Sequence, residues 1–428
     1  MSTTMDYDAA ILPRPRFDLD LIPIQHEGRE LILVRDPLQL VKAGSAVAPA
    51  LIPLLQLLEQ GITMAQFQQA LTESQGGVLV PCDECERLLA ALDSAFLLDT
   101  TAYREKRRVM EEEYAAMAVR APSHAGVSYP AETDAAADLV DAIIAAGKAA
   151  LPAGETPEGP LLAIVAPHID IAVGRSAYGH AFAALAETLE SDAAAGRRPI
   201  DRVVILGVGH KLTDSLYSVT TKDYETPLGR LRTDADAVSR LAALGPPIVS
   251  ASDWVHRDEH SAEFPALFLQ RLFPDPERLA IVPVLCGSAH IDPNEYSRAM
   301  YTAHAAKFME ALSDIVADKS RRTLVLASVD FSHIGPKFGH GQTAQALEPE
   351  TATHDHALLE SLAVGSAEAF WEESVRVQDR YNVCGFSAMS TMLEALPPMR
   401  GQVLDYAMHH EEPTRSAVSF AAVRLHAV

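Results

Sequence analysis

LLAIVAPHID, residues 161 to 170, is an apolar strand that runs directly into Pro167, His168, Ile169 and Asp170. The pattern recurs twice. RVVILGV (202 to 208) runs into Gly209 and His210, and TLVLASV (323 to 329) runs into Asp330, Phe331, Ser332 and His333. Further strands are expected at LAIVPVLC (279 to 286), QVLDYAM (402 to 408) and AVSFAAVRL (417 to 425), the last two close enough in sequence to form an antiparallel edge. Amphipathic helices are expected between them, at 133 to 149, 175 to 190, 261 to 272, 297 to 317, 352 to 362 and 385 to 396. Apolar strands alternating with such helices predict an α/β fold whose mostly parallel sheet carries helices on both faces. Ligands of an open α/β sheet sit outside the carboxyl ends of its strands. Three histidines that each follow a strand are therefore expected to converge on one rim.

The chain has 428 residues, more than one hydrophobic core usually supports, so two domains are expected. With 48% hydrophobic and 22% charged residues it can bury a large core, and the bulk of it should fold. Its 35 Lys and Arg against 58 Asp and Glu give a formal charge of -23, a field that repels phosphate backbones and anionic lipids, so nucleic acid and membrane surfaces are excluded as partners. No apolar run approaches the roughly 20 residues that span a bilayer. The opening MSTTMDYDAAILPRPRF is acidic and proline-bearing, unlike a basic leader, and a cytoplasmic protein is expected. Four cysteines in this length argue against a disulfide framework.

Residues 1 to 20 read as a loose tail, because Pro13 and Pro15 interrupt a segment without apolar period. From 21 to 102, short strand-like pieces give way to helices such as APALIPLLQLLEQG and CERLLAALDSAFLLD, which predicts a small, mainly helical domain. YREKRRVMEEEYAAMAVR, residues 103 to 120, reads as a solvated linker helix, and the α/β domain follows from 121 to 428.

Neutral imidazole is the commonest protein ligand for zinc, iron and copper, and strand ends hold it rigidly enough to fix a coordination geometry. His168, His210 and His333 are candidates on that ground. In DWVHRDEHSAE (253 to 263), His256 and His260 lie one helical turn apart, but Asp253, Asp258 and Glu259 suit the exposed first turn of a helix starting near Ser261. His260 and Glu263 are retained as pocket residues and His256 is assigned to the surface. Two cysteines compete as a further ligand. Cys384 precedes a helix whose dipole favours its thiolate, whereas Cys286 ends a strand and reads as a small core residue. Cys82 and Cys85 form a lone C-x-x-C, a weak zinc or redox signal. His354, His356, His409 and His410 follow no strand and are expected to be solvated or locally satisfied.

SHAGVSYP (123 to 130), APHID (166 to 170), GVGH (207 to 210), YETPLGRL with Asp234, EHSAEF (259 to 264), VPVLCG (282 to 287), SVDFSHIG (328 to 335) and NVCG (382 to 385) together resemble the Memo family in their order. The resemblance spans residues 121 to 428. It implies a fold like that of the class III extradiol dioxygenases and a metal-ligand set of His168, His210 and Cys384. It also implies acid/base or supporting roles for Asp330 and His333, with His260 and Glu263 lining the same pocket. The chain departs from the family where PHAGY becomes Pro167, His168, Ile169 and Asp170, where a second histidine after His210 becomes Lys211, and where Ser128 replaces a Trp. Those changes alter the pocket wall. The small domain resembles winged-helix-like peptide-binding modules of the PqqD type, and prokaryotic family members resemble parts of a three-component system with a radical-SAM protein. A peptide substrate or such a protein partner is implied.

Two classes of function follow. One is a mononuclear non-heme iron enzyme, also open to copper, in which His333 is a general base oriented by Asp330. The other is a binding protein that keeps the pocket for a small molecule, a peptide or a metal, with zinc-dependent hydrolysis as a third reading.

Overall fold

A computed structural model of the chain describes residues 11–26, 28–152, 158–275 and 278–428. The chain divides into two compact units, residues 1–116 and 117–428. The first begins with an antiparallel sheet of β1 (Asp20–His26), β2 (Arg29–Arg35) and β3 (Ala46–Val47). Four helices follow: α1 (Ile52–Glu59), α2 (Met64–Ser74), α3 (Cys82–Ser94) and α4 (Thr101–Ala116). Apolar residues at helical spacing bring Leu54, Leu58, Phe67, Leu71, Leu89 and Leu92 into one core with Val34. Thr63 and Gln66 close a reciprocal cap on α2, each side chain accepting from the other's backbone N–H.

Two expectations for this region fail. Residues 1 to 10 of the expected tail lie outside the described residues, but the stretch after them is anchored through Leu12 and Arg16, both buried. Leu12 joins the core, and the Arg16 guanidinium is enclosed between Asp18 at 2.9 Å and Asp36 at 2.7 Å, with the Phe96 carbonyl as a further acceptor. Prolines forbid a helix there, not burial, and the paired carboxylates compensate the desolvated cation. The charged stretch 103 to 120 is likewise not one solvated helix. It buries Tyr103 and Tyr114, its helix ends at Ala116, and Val119–Arg120 forms a strand, β4, with Arg120 fully buried.

After β4 the second unit runs through α5 (Thr133–Ala150), β5 (Leu161–Ala166), α6 (Arg175–Ala194), β6 (Arg202–Val208), β7 (Tyr217–Val219), β8 (Asp223–Thr226), β9 (Gly229–Thr233) and α7 (Ala235–Ala242). It continues with α8 (His260–Leu272), β10 (Ala280–Cys286), α9 (Arg298–Ala317), β11 (Thr323–Ser328) and β12 (His333–Ile334). The chain closes with α10 (Ala344–Ala363), α11 (Ala367–Val377), α12 (Phe386–Ala395) and the hairpin β13 (Met399–Glu411) and β14 (Ser416–Ala427). The six expected strands and six expected helices are present. The short strands β4, β7 to β9 and β12, which are too brief to show a period, and the helices α7 and α11 are additions to the expected set.

The sheet order is β12-β14-β5-β11-β6-β10-β9-β8-β4, with β13 on β14 and β7 on β10. Its centre, β5-β11-β6-β10, is parallel, and β14 joins β5 antiparallel. Alternate residues of the central strands enter different cores, as a two-residue period requires. Val204, Leu206, Val325 and Ala327 pack with residues of α7, α9, α10, α11 and α12, while Val203, Ile205, Leu324 and Leu326 pack with those of α5, α6 and α8. Because β11 lies between β5 and β6, the chain leaves β5 in one direction and reaches β11 from the other. That reversal opens a crevice at the carboxyl ends of these three strands, and the residues that follow them line it.

Candidate metal centre

His168, two residues past β5, is 2% exposed, and its Nδ1 lies 3.0 Å from the Ser328 carbonyl at the end of β11. A carbonyl can only accept, so Nδ1 carries the proton and Nε2 is bare. His210, two residues past β6, sets Nδ1 at 3.1 and 3.0 Å from the two oxygens of Glu259. His260 opens α8. Its ring stacks on that of His210 with centroids 4.9 Å apart and 14° between planes, and stands edge-on to His168 at 5.1 Å. One nitrogen from each of the three imidazoles lies within 4.8 Å of the others, a grouping that could hold a metal ion. Burial is the main cause that lowers both His168 and His260 to about 3, so both rings are neutral. Burial also pulls on His210, but the Glu259 carboxylate outweighs it and the net shift is upward.

The Cys384 sulfur lies 3.4 Å from His168 Nε2 and 3.6 Å from the Asp330 carbonyl oxygen. This proximity depends on Gly385, where an added Cβ would stand 2.3 Å from Val329 Cβ and 2.7 Å from the Asp330 carbonyl oxygen. Gln378, Asp379 and Asn382, just before the cysteine, all have left-handed backbone at φ 53°, 49° and 52°. Each such non-glycine residue costs about 1 kcal/mol or more, a cost that loops at functional sites commonly carry. The expected activation of the thiol by a helix dipole is not seen. Burial pushes the Cys384 thiol well above its ordinary value, with the nearby Asp330 carboxylate adding to the effect. Cys286 is fully buried on β10, as expected of a core residue.

Asp330, at the end of β11, is 2% exposed. Its Oδ1 accepts from the His168 and Ile169 backbone amides at 3.0 and 3.1 Å, and its Oδ2 stands 3.6 Å from His168 Nε2. Burial raises its carboxyl to about 6 despite the opposing pull of His333. The expected pairing in which Asp330 orients His333 is thus corrected: His333 Nδ1 is held by the Phe331 carbonyl at 3.1 Å, and Asp330 orients the His168 segment instead. His333, His210 and Cys384 together line a cleft of about 490 Å³ whose apolar wall includes Leu212, Phe338 and Phe386.

Glu263 belongs to a neighbouring cluster. It pairs with the buried Arg120 and accepts from the Ser123 hydroxyl at 2.8 Å, from the His124 backbone at 2.8 Å and ring at 3.0 Å, and from Tyr129. Burial opposes its ionisation, but Arg120 and these donors hold it well below the ordinary carboxylate range. A carboxylate so saturated is an anchor rather than a free proton acceptor. His256 is not on the surface: it is fully buried, its Nδ1 is 3.0 Å from the Tyr224 hydroxyl, and burial lowers it to about 4. Glu259 is also buried, at 6% exposed, contrary to its reading as a solvated helix start. It does cap α8, accepting from Ser261 N at 3.0 Å. The helix-start reading placed it at the right end of α8, but the one-dimensional pattern could not show His210 of the β6 end arriving beside it. Cys82 and Cys85 lie in the first turn of α3, the former exposed and the latter buried.

Fold and pocket together define an α/β protein with imidazoles gathered where a mostly parallel sheet reverses its strand order, arranged so that they could hold a metal ion. The family model described as Memo-like protein matches residues 120–424, and the chain belongs to that family. A MEMO1 family protein of Aquifex aeolicus is 28% identical over 414 residues, covering 96% of this chain and 99% of its own. One from Thermus thermophilus is 30% identical over 359 residues, covering 84% of this chain and 98% of its own. A relative in Methanopyrus kandleri is 28% identical over 303 residues, 67% of this chain and 91% of its own. Among the described residues, no helix is long and apolar enough to cross a membrane.

Proposed function

We propose that the second unit holds a mononuclear metal, iron in the first place with copper or zinc accepted by the same donors, and works as a non-heme oxidoreductase related to the dioxygenases. His168, His210 and His260 would supply imidazole nitrogens, and Cys384 a sulfur beside them. The observation that carries this reading is the grouping of three imidazole nitrogens within 4.8 Å. Burial supports it by keeping two of those rings neutral, the form that ligates. Imidazole nitrogen accepts iron, copper and zinc, with intrinsic affinity greatest for copper, and an adjacent thiol favours metals that tolerate sulfur. The metal would contribute Lewis acidity and, for iron or copper, redox capacity.

The chain's own groups would bind and move protons. His333 donates Nδ1–H to the Phe331 carbonyl and so offers a bare Nε2 to a substrate proton; burial lowers its pKa, which keeps it neutral and ready to accept. Asp330 would hold His168 in place through the two backbone amides it accepts from. Leu212, Phe338 and Phe386 would exclude water from one wall of the cleft.

Anaerobic purification followed by elemental analysis tests the metal. Stoichiometric metal in the parent, lost in His210→Ala and reduced in Cys384→Ser, is expected. Equal content in parent and His210→Ala overturns the centre. Oxygen uptake by iron-loaded protein over a panel of catechols tests the redox half, and silence on every member with iron in place leaves a binding role instead.

A further inference from the structure

Glu259 touches two of the three imidazoles. Its Oε1 and Oε2 stand 3.1 and 3.0 Å from His210 Nδ1, and its Oε1 stands 3.2 Å from His260 Nδ1. His210 is hydrogen-bonded to this carboxylate, whereas the His260 contact is one of charge and distance without a hydrogen bond; a bare nitrogen this close to a carboxylate oxygen is repelled, so in both rings Nδ1 is the nitrogen that carries the proton. In the neutral form, the one that ligates a metal, each imidazole has a single N–H, so both Nε2 atoms are then bare. The same holds for His168 through the Ser328 carbonyl. The two rings that share Glu259 stack within 14° of parallel, as two arms on one support would.

The support is itself fixed. Glu259 accepts from the Ser261 and His210 backbone amides at 3.0 and 3.2 Å. Arg120 donates to the carbonyls of His256 and Glu259 at 3.0 and 3.1 Å, which ties down the segment leading into α8.

We infer that Glu259 is a positioning residue shared by His210 and His260, whose one carboxylate sets the tautomer of both rings and aims both Nε2 atoms at a common cation. Only the affinity arm of the test below rests on the metal reading. In Glu259→Gln one oxygen becomes an NH₂ group that confronts the Nδ1–H of His210 in either amide orientation, and that of His260 as well in one of them. In Glu259→Ser the helix cap is kept but neither ring is reached, which separates positioning from capping.

The test uses the full-length chain with Co²⁺ alone as probe, together with ¹⁵N spectra of the metal-free parent labelled at histidine, His210 and His260 being assigned by substitution. At alkaline pH, where both rings are neutral, the expected result is Nδ1-protonated, Nε2-bare rings at both positions. Co²⁺ affinity should fall about 10-fold to 100-fold in both the Gln and the Ser variant, the range for residues that orient metal ligands, with the melting temperature of Glu259→Ser close to that of the parent. Parent-like affinity in Glu259→Ser, or a neutral ring protonated at Nε2 instead of Nδ1 at either position in the parent, overturns the assignment. If the parent binds no Co²⁺ the metal centre falls, and the ring tautomers of the metal-free protein still decide the role of Glu259.

Discussion

Asp330→Asn replaces an enclosed carboxyl by a group of the same shape that cannot ionise. Burial raises the Asp330 carboxyl from 3.8 to about 6. Between those values the native chain holds a proton that the unfolded chain releases. The stability Asp330 contributes is therefore complete below the unfolded value and lost as pH rises through the folded one. At about 1.36 kcal/mol per unit, the loss between about pH 4.5 and about pH 7.5 is about 2 kcal/mol. Asparagine keeps a carbonyl for the His168 and Ile169 amides, which Asp330 Oδ1 now meets at 3.0 and 3.1 Å, and suffers no such loss. Urea denaturation of metal-free parent and variant at both pH values reads the effect. Whatever its starting offset, the Asn variant should gain about 2 kcal/mol on the parent from the lower to the higher pH. A difference that stays constant within about 0.5 kcal/mol would refute the burial argument.

Gly385→Ala should destabilise the second unit by about 1 to 3 kcal/mol and reduce bound metal, because its Cβ has no room between Val329 and the Asp330 carbonyl; an unchanged melt and metal content would contradict this. Arg120→Met leaves Glu263 buried without its cation and should cost about 3 to 5 kcal/mol in urea denaturation, so a cost below about 1 kcal/mol would show the cluster to be self-sufficient. Alkylation followed by mass spectrometry should modify the exposed Cys82 first. Cys384, whose thiol burial pushes up, should react slowly at neutral pH, and Cys85 and Cys286 should be silent until unfolding; rapid labelling of Cys384 would mean an accessible thiolate.

Much of the fold was legible because the central strands are buried on both faces and so read as unbroken apolar runs whose ends are sharp. The runs ending before His168, His210 and Asp330 are β5, β6 and β11, and the sheet brings all three ends to one crevice. The amino acid order alone could therefore nominate imidazoles from separate strands. It could not rank them. His256 and His260 lie one turn apart in the same polar run, yet one is sealed against Tyr224 and the other joins the imidazole group. Glu259 and Glu263 look like a charged helix start, yet one holds two rings and the other closes an ion pair with Arg120, 143 positions upstream of it and read as linker.

Local sequence determined the long strands, the ends of the central ones and a helix start within one residue of His260, because those depend on period and capping within a few residues. Tertiary structure decided which carboxylates are buried, which histidine meets which, and what each titrates to. Those properties depend on desolvation and on partners from about thirty to more than a hundred residues away, which no local window along the chain contains.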